Sequence, residues 1–222
     1  MATSNSRDFT LDVSELIEEA YERCGMIART GYDARTARRS LNLLFADWAN
    51  RGINHWTVSV GTQALTQGTA VYTQSASVID VLEVNLFRDN TAIQMTRLSR
   101  AEYMAIPDKT TQGRPSSYYF DKQIQPQFEV WPVPENSTDR IDFTFLNRIQ
   151  DADASVNDVD APFRFLPCMA AGLAYYIAIK KAPDRVQMLK TIYEEEFQRA
   201  SDEDQDRVPV TLTPSLRYLR VN

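Results

Sequence analysis

The sequence contains few residues whose type and spacing could perform chemistry. Its single histidine, His55, stands beside Trp56 at a predicted junction between a helix and a strand. A zinc site needs several His or Cys ligands at short spacing, and a calcium loop needs alternating Asp followed by Gly and Glu. Asp151 and Asp153 begin the calcium pattern, but the rest of that pattern is missing. We therefore expect no metal, no cofactor and a structural role for His55.

The two cysteines, Cys24 and Cys168, each lie on an apolar pattern of helical spacing. This setting indicates reduced cysteines in a core, in keeping with a reducing cytoplasm, although a disulfide between them stays open. The sequence has no Gly-x-Ser-x-Gly motif, no phosphate-binding glycine loop and no dinucleotide fingerprint. No catalytic residue is predicted, and we do not expect the chain to be an enzyme.

Two other kinds of chemistry stay open. The 30 acidic residues supply many carboxylate pairs that could serve as general acid and base, although no pair stands out. A cell-wall hydrolase is therefore one alternative. Aromatic side chains could stack on bases or sugars, or form the inner faces of a β-module: Tyr118, Tyr119, Phe120, Phe128 and Trp131. A glycan-binding module is therefore another alternative.

The overall charge limits the possible partners. The formal net charge is -6 and the isoelectric point is about 4.9. Gripping DNA requires Lys and Arg to neutralise phosphates, so an acidic chain is poorly suited to non-specific DNA binding. It is compatible with DNA that slides past without adhering. The N-terminus has no apolar core of signal-peptide type, and no run of about 18 apolar residues predicts a membrane span.

Helical patterns flank the chain's centre. A capping box at Asp12 and Glu15 predicts a helix near 13–24, ended by Gly25. Asp33 is predicted to cap a second helix that ends at Gly52. Three arginines lie near the start of this second helix, where the helix dipole disfavours them: Arg35, Arg38 and Arg39. They either find acidic partners, within the chain or on a neighbour, or form a solvated basic face.

The stretch 55–150 has the alternation typical of strands instead. Seven short strands are predicted, together with a short helix at Ser99 to Ile106, and they suggest an antiparallel sandwich or a curled sheet. The predicted strands lie near 56–60, 69–73, 78–87, 91–95, 117–120, 128–131 and 140–148. We expect this stretch to be a β-rich module inserted into a helical domain.

The last third of the chain returns to helix. An acidic connector at 151–160 leads to Pro162 to Lys181, which is apolar on nearly every side and must therefore be surrounded. The next helix has one apolar face and a strongly acidic end, whose acids include Glu194, Glu195, Asp202 and Asp204. This end is either a contact to a neighbouring subunit or a surface past which DNA could slide without adhering.

The final residues, Val208 to Asn222, contain no acid and have apolar groups without a helical repeat. They predict an extended arm that docks on a partner, although packing on the chain's own domain stays open. The predicted fold is α+β, a four-helix bundle-like domain with an inserted antiparallel β-module and an extended tail. Its parts are 1–54 (arm and first helices), 55–150 (β-module), 151–207 (last helices) and 208–222 (tail).

The sequence resembles the head-to-tail adaptor, or connector, proteins of tailed bacteriophages. The clearest stretch is LLFADWANRGINHWTV, residues 43–58. Other matching stretches are VLEV at 81–84, MTRLSRAEY at 95–103, KTTQGRP at 109–115 and APFRFLPCMAAGLAYY at 161–176. Together they cover most of residues 12–205, with the N-terminal arm and the C-terminal tail outside. No single motif is chemically diagnostic, but their order over this length is fairly specific.

The resemblance implies a virion structural protein in the neck, assembled in the host cytoplasm as a ring, usually of twelve copies. Such a ring docks beneath the portal protein, carries a tail nozzle, tail tube or tail fibre protein, and continues the DNA channel without reading sequence. It also implies that the C-terminal segment reaches the portal. The candidate docking residues in that segment are Leu212, Leu216, Arg217, Tyr218, Leu219 and Arg220. The candidate subunit contacts are Arg35, Arg38, Arg39, Glu194, Glu195, Asp202 and Asp204.

Overall fold

The computed structural model describes residues 5–6, 9–52, 55–154 and 156–204 of the chain, without the side chains of His55 and Asp204. Five α-helices occur within these residues. They are α1 (Val13–Arg23), α2 (Gly31–Asn50), α3 (Arg100–Met104), α4 (Leu166–Lys181) and α5 (Val186–Asp204). Short 3-10 turns at His55–Thr57 and Phe163–Phe165 precede the first strand and α4. No described helix is long and apolar enough to cross a membrane.

Capping boxes begin the first three helices. The predicted box of Asp12 and Glu15 is confirmed at α1, and Ser99 and Glu102 form a second box at the start of α3. The predicted cap of α2 is wrong by one turn. Thr30 is the N-cap, and its side chain accepts a hydrogen bond from the backbone N–H of Asp33, whose carboxylate bonds back to Thr30. Asp33 is therefore the third residue of the helix.

Helix α4 lies at the centre of the helical part. It contacts α1, α2 and α5, and ten of its 16 residues are buried. The approach is close at Gly172, where a β-carbon would lie 2.9 Å from side-chain atoms of both Leu44 and Tyr193. The prediction that the stretch from Pro162 to Lys181 must be surrounded is therefore confirmed for these ten residues, whereas Phe163, Pro167 and Ile179 are exposed.

The prediction of a four-helix bundle-like domain is wrong. Four amphipathic helices of a bundle share one core between them, whereas here the other helices pack around an α4 that is apolar on all sides. The helices are also unequal, since α1 has 11 residues and α2 has 20. Ten strands outnumber the five helices of the described residues. The broader α+β class fits this architecture.

The strands are β1 (Val58–Ala64), β2 (Val71–Thr73), β3 (Val78–Arg88), β4 (Thr91–Gln94), β5 (Thr96–Arg97), β6 (Gln112–Gly113), β7 (Ser117–Asp121), β8 (Gln127–Trp131), β9 (Val133–Pro134) and β10 (Arg140–Asn147). One sheet has the order β1-β10-β3-β4 and a second has the order β2-β8-β7-β5. The pairs β5–β7 and β6–β9 are parallel, and all other pairs are antiparallel. The sheets are therefore antiparallel, as expected, apart from these two short pairs.

The buried apolar side chains of the described residues form two hydrophobic clusters. One gathers side chains of α1, α2, α4 and α5, together with Ile149 and Ala152. The other lies between the two four-stranded sheets, where Phe128 and Phe143 pack edge to face with ring centroids 5.0 Å apart. Apolar burial of this extent is the main stabilising force of each part. The division of the chain at residues 54, 150 and 207 stays a prediction.

Candidate assembly surfaces

The start of α2 carries a basic surface. Arg35 and Arg39 are exposed, and the described part of the chain offers neither of them an ion-pair partner. Arg38 is engaged, because its guanidinium donates to the backbone carbonyl of Asp153. The end of α4 adds Lys180, whose pKa is lowered by burial and then by the positive charge of Arg39. This basic surface is therefore open to an acidic partner.

Beside it, Asp33 forms an ion pair with Lys181. The hydrogen bond from the Lys181 ammonium is the main reason why the pKa of Asp33 falls from its ordinary 3.8 to about 2. The backbone N–H of Arg29 lowers this pKa further. The carboxylate thus serves both the capping box and the contact between α2 and α4.

This depressed pKa predicts a pH-dependent contribution of Asp33 to stability. A carboxyl whose pKa is lower in the folded state stabilises above its unfolded pKa and loses that effect as pH falls through the folded value. The difference in unfolding free energy between wild type and Asp33→Asn should therefore be constant above about pH 5 and shrink between about pH 4 and pH 2. Urea unfolding at a series of pH values measures it. A difference that stays constant down to pH 2 would contradict the lowered pKa of Asp33. In a Lys181→Met background, the stability difference should change over a narrower pH range, because the ion pair that lowers this pKa is lost.

The acidic end of α5, like the basic surface, contains both residues that are bound within the chain and residues that are exposed. Glu194 is held inside the chain, because Nη1 and Nη2 of Arg51 donate to its two oxygens at 2.8 and 2.9 Å. This hydrogen bonding holds the pKa of Glu194 below its usual range. Glu195 is exposed, and Asp202 is exposed with one contact from Gln198 on its own helix. Of the predicted contact acids, Glu195 and Asp202 therefore face outward.

Arg51 is a residue that the sequence reasoning missed. It binds Asp47 at 2.9 Å as well as Glu194, and its guanidinium lies 4.5 Å from the centre of the Phe197 ring. Beneath it, Trp48 donates to the Tyr193 hydroxyl at 3.1 Å. The spacing of Asp47 and Arg51, four residues apart on a helix, was the available signal. This network fixes the end of α2 against the middle of α5.

These contacts place the basic and acidic surfaces at opposite ends of the helical part. The start of α2 meets the end of α4 through Asp33 and Lys181, whereas the end of α2 meets α5 through Arg51 and Glu194. Arg35 and Arg51 are 16 residues apart on one helix, which corresponds to about 24 Å. The two charged surfaces of one chain therefore cannot neutralise each other.

Strand β1 offers a further surface, since it forms one edge of its sheet. It has no charged residue and no proline between Val58 and Ala64, and Val60 is 76% exposed. Proteins usually protect an edge strand with charges or proline because unpaired backbone groups attract other strands. The β1 edge therefore has the features of a contact surface.

The aromatic residues considered for stacking lie mostly inside the β-rich part. Tyr118, Phe120 and Phe128 are each no more than 4% exposed. Trp131 is half-buried and donates to the backbone carbonyl of Asp108 at 3.2 Å. The interpretation of Tyr118, Phe120 and Phe128 as inner faces of the β-module is confirmed. These three side chains cannot stack on a ligand in this structure.

The cysteines are free and buried, as the sequence predicted. The Sγ atom of Cys24 donates to the backbone carbonyl of Ala174 at 3.2 Å. Burial raises the pKa of both thiols, that of Cys168 to about 12. Within the described ranges, no cluster of three His, Cys, Asp or Glu side chains could hold a metal ion. The six candidate docking residues of the tail lie outside the described residues.

Comparison with known families decides the identity. The family model described as SU10 adaptor protein matches residues 11–215 of this chain. The chain belongs to the SU10 adaptor protein family. A comparison with curated proteins found no match. The family consists of phage head-to-tail adaptors, so the resemblance seen in the sequence is confirmed.

Membership of the SU10 adaptor family establishes several points. The chain is a bacteriophage structural protein of the adaptor type, it is located in the virion, and it interacts with other virion components. The family is structural and not enzymatic. The match also corrects one boundary, because it takes in residues 208–215 of the tail, which the sequence resemblance had left outside.

Proposed function

We propose that this chain is one subunit of a head-to-tail adaptor ring in the neck of the virion. The ring joins the portal protein to the tail and continues the DNA channel. Family membership supports the adaptor role. The observation that supports the ring is that the exposed basic residues Arg35 and Arg39 and the exposed acidic residues Glu195 and Asp202 lie at opposite ends of the helical part.

A ring needs two different and complementary faces on each subunit. Arg35 and Arg39 on one subunit would meet Glu195 and Asp202 on the next, and complementary charges would set the register of the contact. Of the other predicted contacts, Arg38 and Glu194 already have partners within the chain, and they belong to the rim of the interface in this proposal. The side chain of Asp204, the remaining predicted contact, lies outside the described residues. The number of copies, twelve, follows the family resemblance.

The ring's channel passes double-stranded DNA without reading its sequence. The net charge of -6 supports this role, because like charge keeps DNA from adhering to the wall. The β1 edge is a second candidate contact between neighbouring subunits. Below the ring, a tail nozzle, tail tube or tail fibre protein is the proposed partner.

The proposed contact to the portal is the tail, residues 208–222. Removing this segment should weaken docking on purified portal at least about a hundredfold. The reason is that burial of each leucine side chain contributes about 1.5–3 kcal/mol. Sedimentation of mixtures measures the docking, and circular dichroism should show unchanged secondary structure. Undiminished docking after the deletion would refute the role of the tail.

Point substitutions provide a matched control for the deletion. Changing the tail leucines to serine should reproduce the loss of docking, while changing nearby polar residues to alanine should leave docking intact. The leucine set is Leu212→Ser, Leu216→Ser and Leu219→Ser, and the polar set is Thr211→Ala, Thr213→Ala and Ser215→Ala. Equal effects of the two sets would mean that apolar docking is not the cause.

A further inference from the structure

An apolar groove lies between α1, the segment that precedes it and the start of α4. It encloses a cavity of about 540 Å³. Its apolar lining is formed by Phe9, Leu11, Phe163, Leu166, Pro167 and Ala170. Phe9 and Phe163 pack edge to face, with ring centroids 6.3 Å apart, yet they are 65% and 70% exposed. Such exposure of two large rings is costly in water and marks a binding surface.

The rim of this groove is acidic. Glu15, Glu18, Glu19 and Glu22 line it from α1. Glu19 is neutralised by Arg23 at 2.7 Å, and Glu15 is used in the capping box. Glu18 and Glu22 are exposed and have no ion-pair partner within the described ranges. An occupant that fits this groove is therefore apolar and carries positive charge.

One segment of this chain has that composition. Residues 207–222 contain no acid. Their basic and large apolar residues include three arginines, three leucines and a tyrosine: Arg207, Leu212, Leu216, Arg217, Tyr218, Leu219 and Arg220. The segment lies outside the described residues. Its charge is opposite to that of the groove rim, and its leucines match the apolar floor.

The end of α5 brings the start of this segment to the same end of α4 as the groove. Trp48 packs on both Phe165 and Phe197, with ring centroids 5.4 and 6.4 Å apart. Phe165 directly precedes Leu166 of the groove, and α5 contacts the Phe163–Phe165 turn. The chain beyond Asp204 spans up to about 60 Å when extended, which is ample to enter the groove.

We propose that residues 207–222 occupy the groove of their own chain in the free subunit. The leucines cover Phe9, Phe163 and Leu166, and the arginines lie beside Glu18 and Glu22. Attachment to α5 gives the segment a high effective concentration at the groove, of millimolar order for a short flexible connection. The groove thereby shields apolar tail residues until a partner displaces them.

Cross-linking of the full-length free subunit tests this contact without any portal protein. Its outcome is therefore independent of the proposed adaptor function. We would combine Glu22→Cys with Ser215→Cys and treat the dilute protein with a short bismaleimide. The native thiols are buried with raised pKa values, so the introduced thiols react selectively. The control pair is Glu83→Cys with Ser215→Cys, because Glu83 is exposed on β3.

The groove pair should cross-link within one chain about tenfold faster than the control pair, because binding holds the segment near the rim. Adding Glu18→Lys should reduce the rate towards that of the control, whereas Glu83→Lys in the same background should not. Equal rates for the two pairs would overturn the proposal. Cross-links found only between two chains would also overturn it, because the groove would then hold a neighbour's segment.

Discussion

Replacing Arg88 with methionine is expected to lower the free energy of unfolding by about 3–5 kcal/mol. Arg88 at the end of β3 meets Asp139, whose side chain is only 2% exposed. Its Nε donates to Oδ2 of Asp139 at 2.8 Å, and its Nη2 lies 2.6 Å from the same oxygen. Without Arg88, the Asp139 carboxylate would be buried without a cation. Denaturant unfolding followed by fluorescence measures the loss.

Three comparisons sharpen this expectation. Asp139→Asn should cost less, because Arg88 is more exposed and keeps Glu135 at 2.8 Å. The double substitution Arg88→Met with Asp139→Leu should recover much of the loss, since no charge is then left buried. Lys122→Met is the control for an exposed pair: Asp80 keeps Arg97, and the change should stay within about 1 kcal/mol. A loss below about 1 kcal/mol for Arg88→Met would contradict the burial argument.

Reversing the charge of Arg35 and Arg39 together is expected to prevent ring assembly. The contact would change from attraction to repulsion, which should weaken association of subunits by about tenfold or more. Restoring complementarity with Glu195→Lys and Asp202→Lys in the same chain should recover assembly. Native mass spectrometry at low salt measures the distribution of oligomers. At high salt, screening should reduce the difference in assembly between wild type and the charge-reversed variant.

Arg51→Glu is the control for the charge reversal of Arg35 and Arg39. Arg51 binds Glu194 within the chain, so its reversal should reduce the stability of the subunit itself. By contrast, Arg35→Glu with Arg39→Glu should leave the free energy of unfolding of the isolated subunit nearly unchanged. If the Arg35 and Arg39 reversal leaves the rings intact, these two residues do not lie at the subunit contact.

Much of the fold is encoded in local patterns. The α2 stop at Gly52 is set by one residue with a φ of +81°, and the apolar run in α4 requires burial on all sides. Alternation also places β3, β7, β8 and β10 within one or two residues of their observed bounds. Local signals of this kind depend only on neighbours in sequence.

The arrangement of these elements was harder to predict. Apolar spacing reports which side of a helix is buried but not which helix covers it, so the four-helix bundle was inferred wrongly. The partners Arg51 and Glu194 are 143 residues apart, and Arg88 and Asp139 are 51 apart. Neither pair has a local signal. The interfacial role of Arg35 and Arg39 stays a prediction, because a single chain contains no neighbour.

Electron microscopy of this chain bound to purified portal protein tests the adaptor-ring proposal most directly. We expect a closed ring of identical subunits beneath the portal, with an open central channel. In each contact, the start of α2 should face the end of α5 of the next subunit, and residues 208–222 should reach the portal. A chain that stays monomeric and never associates with portal would contradict the proposal.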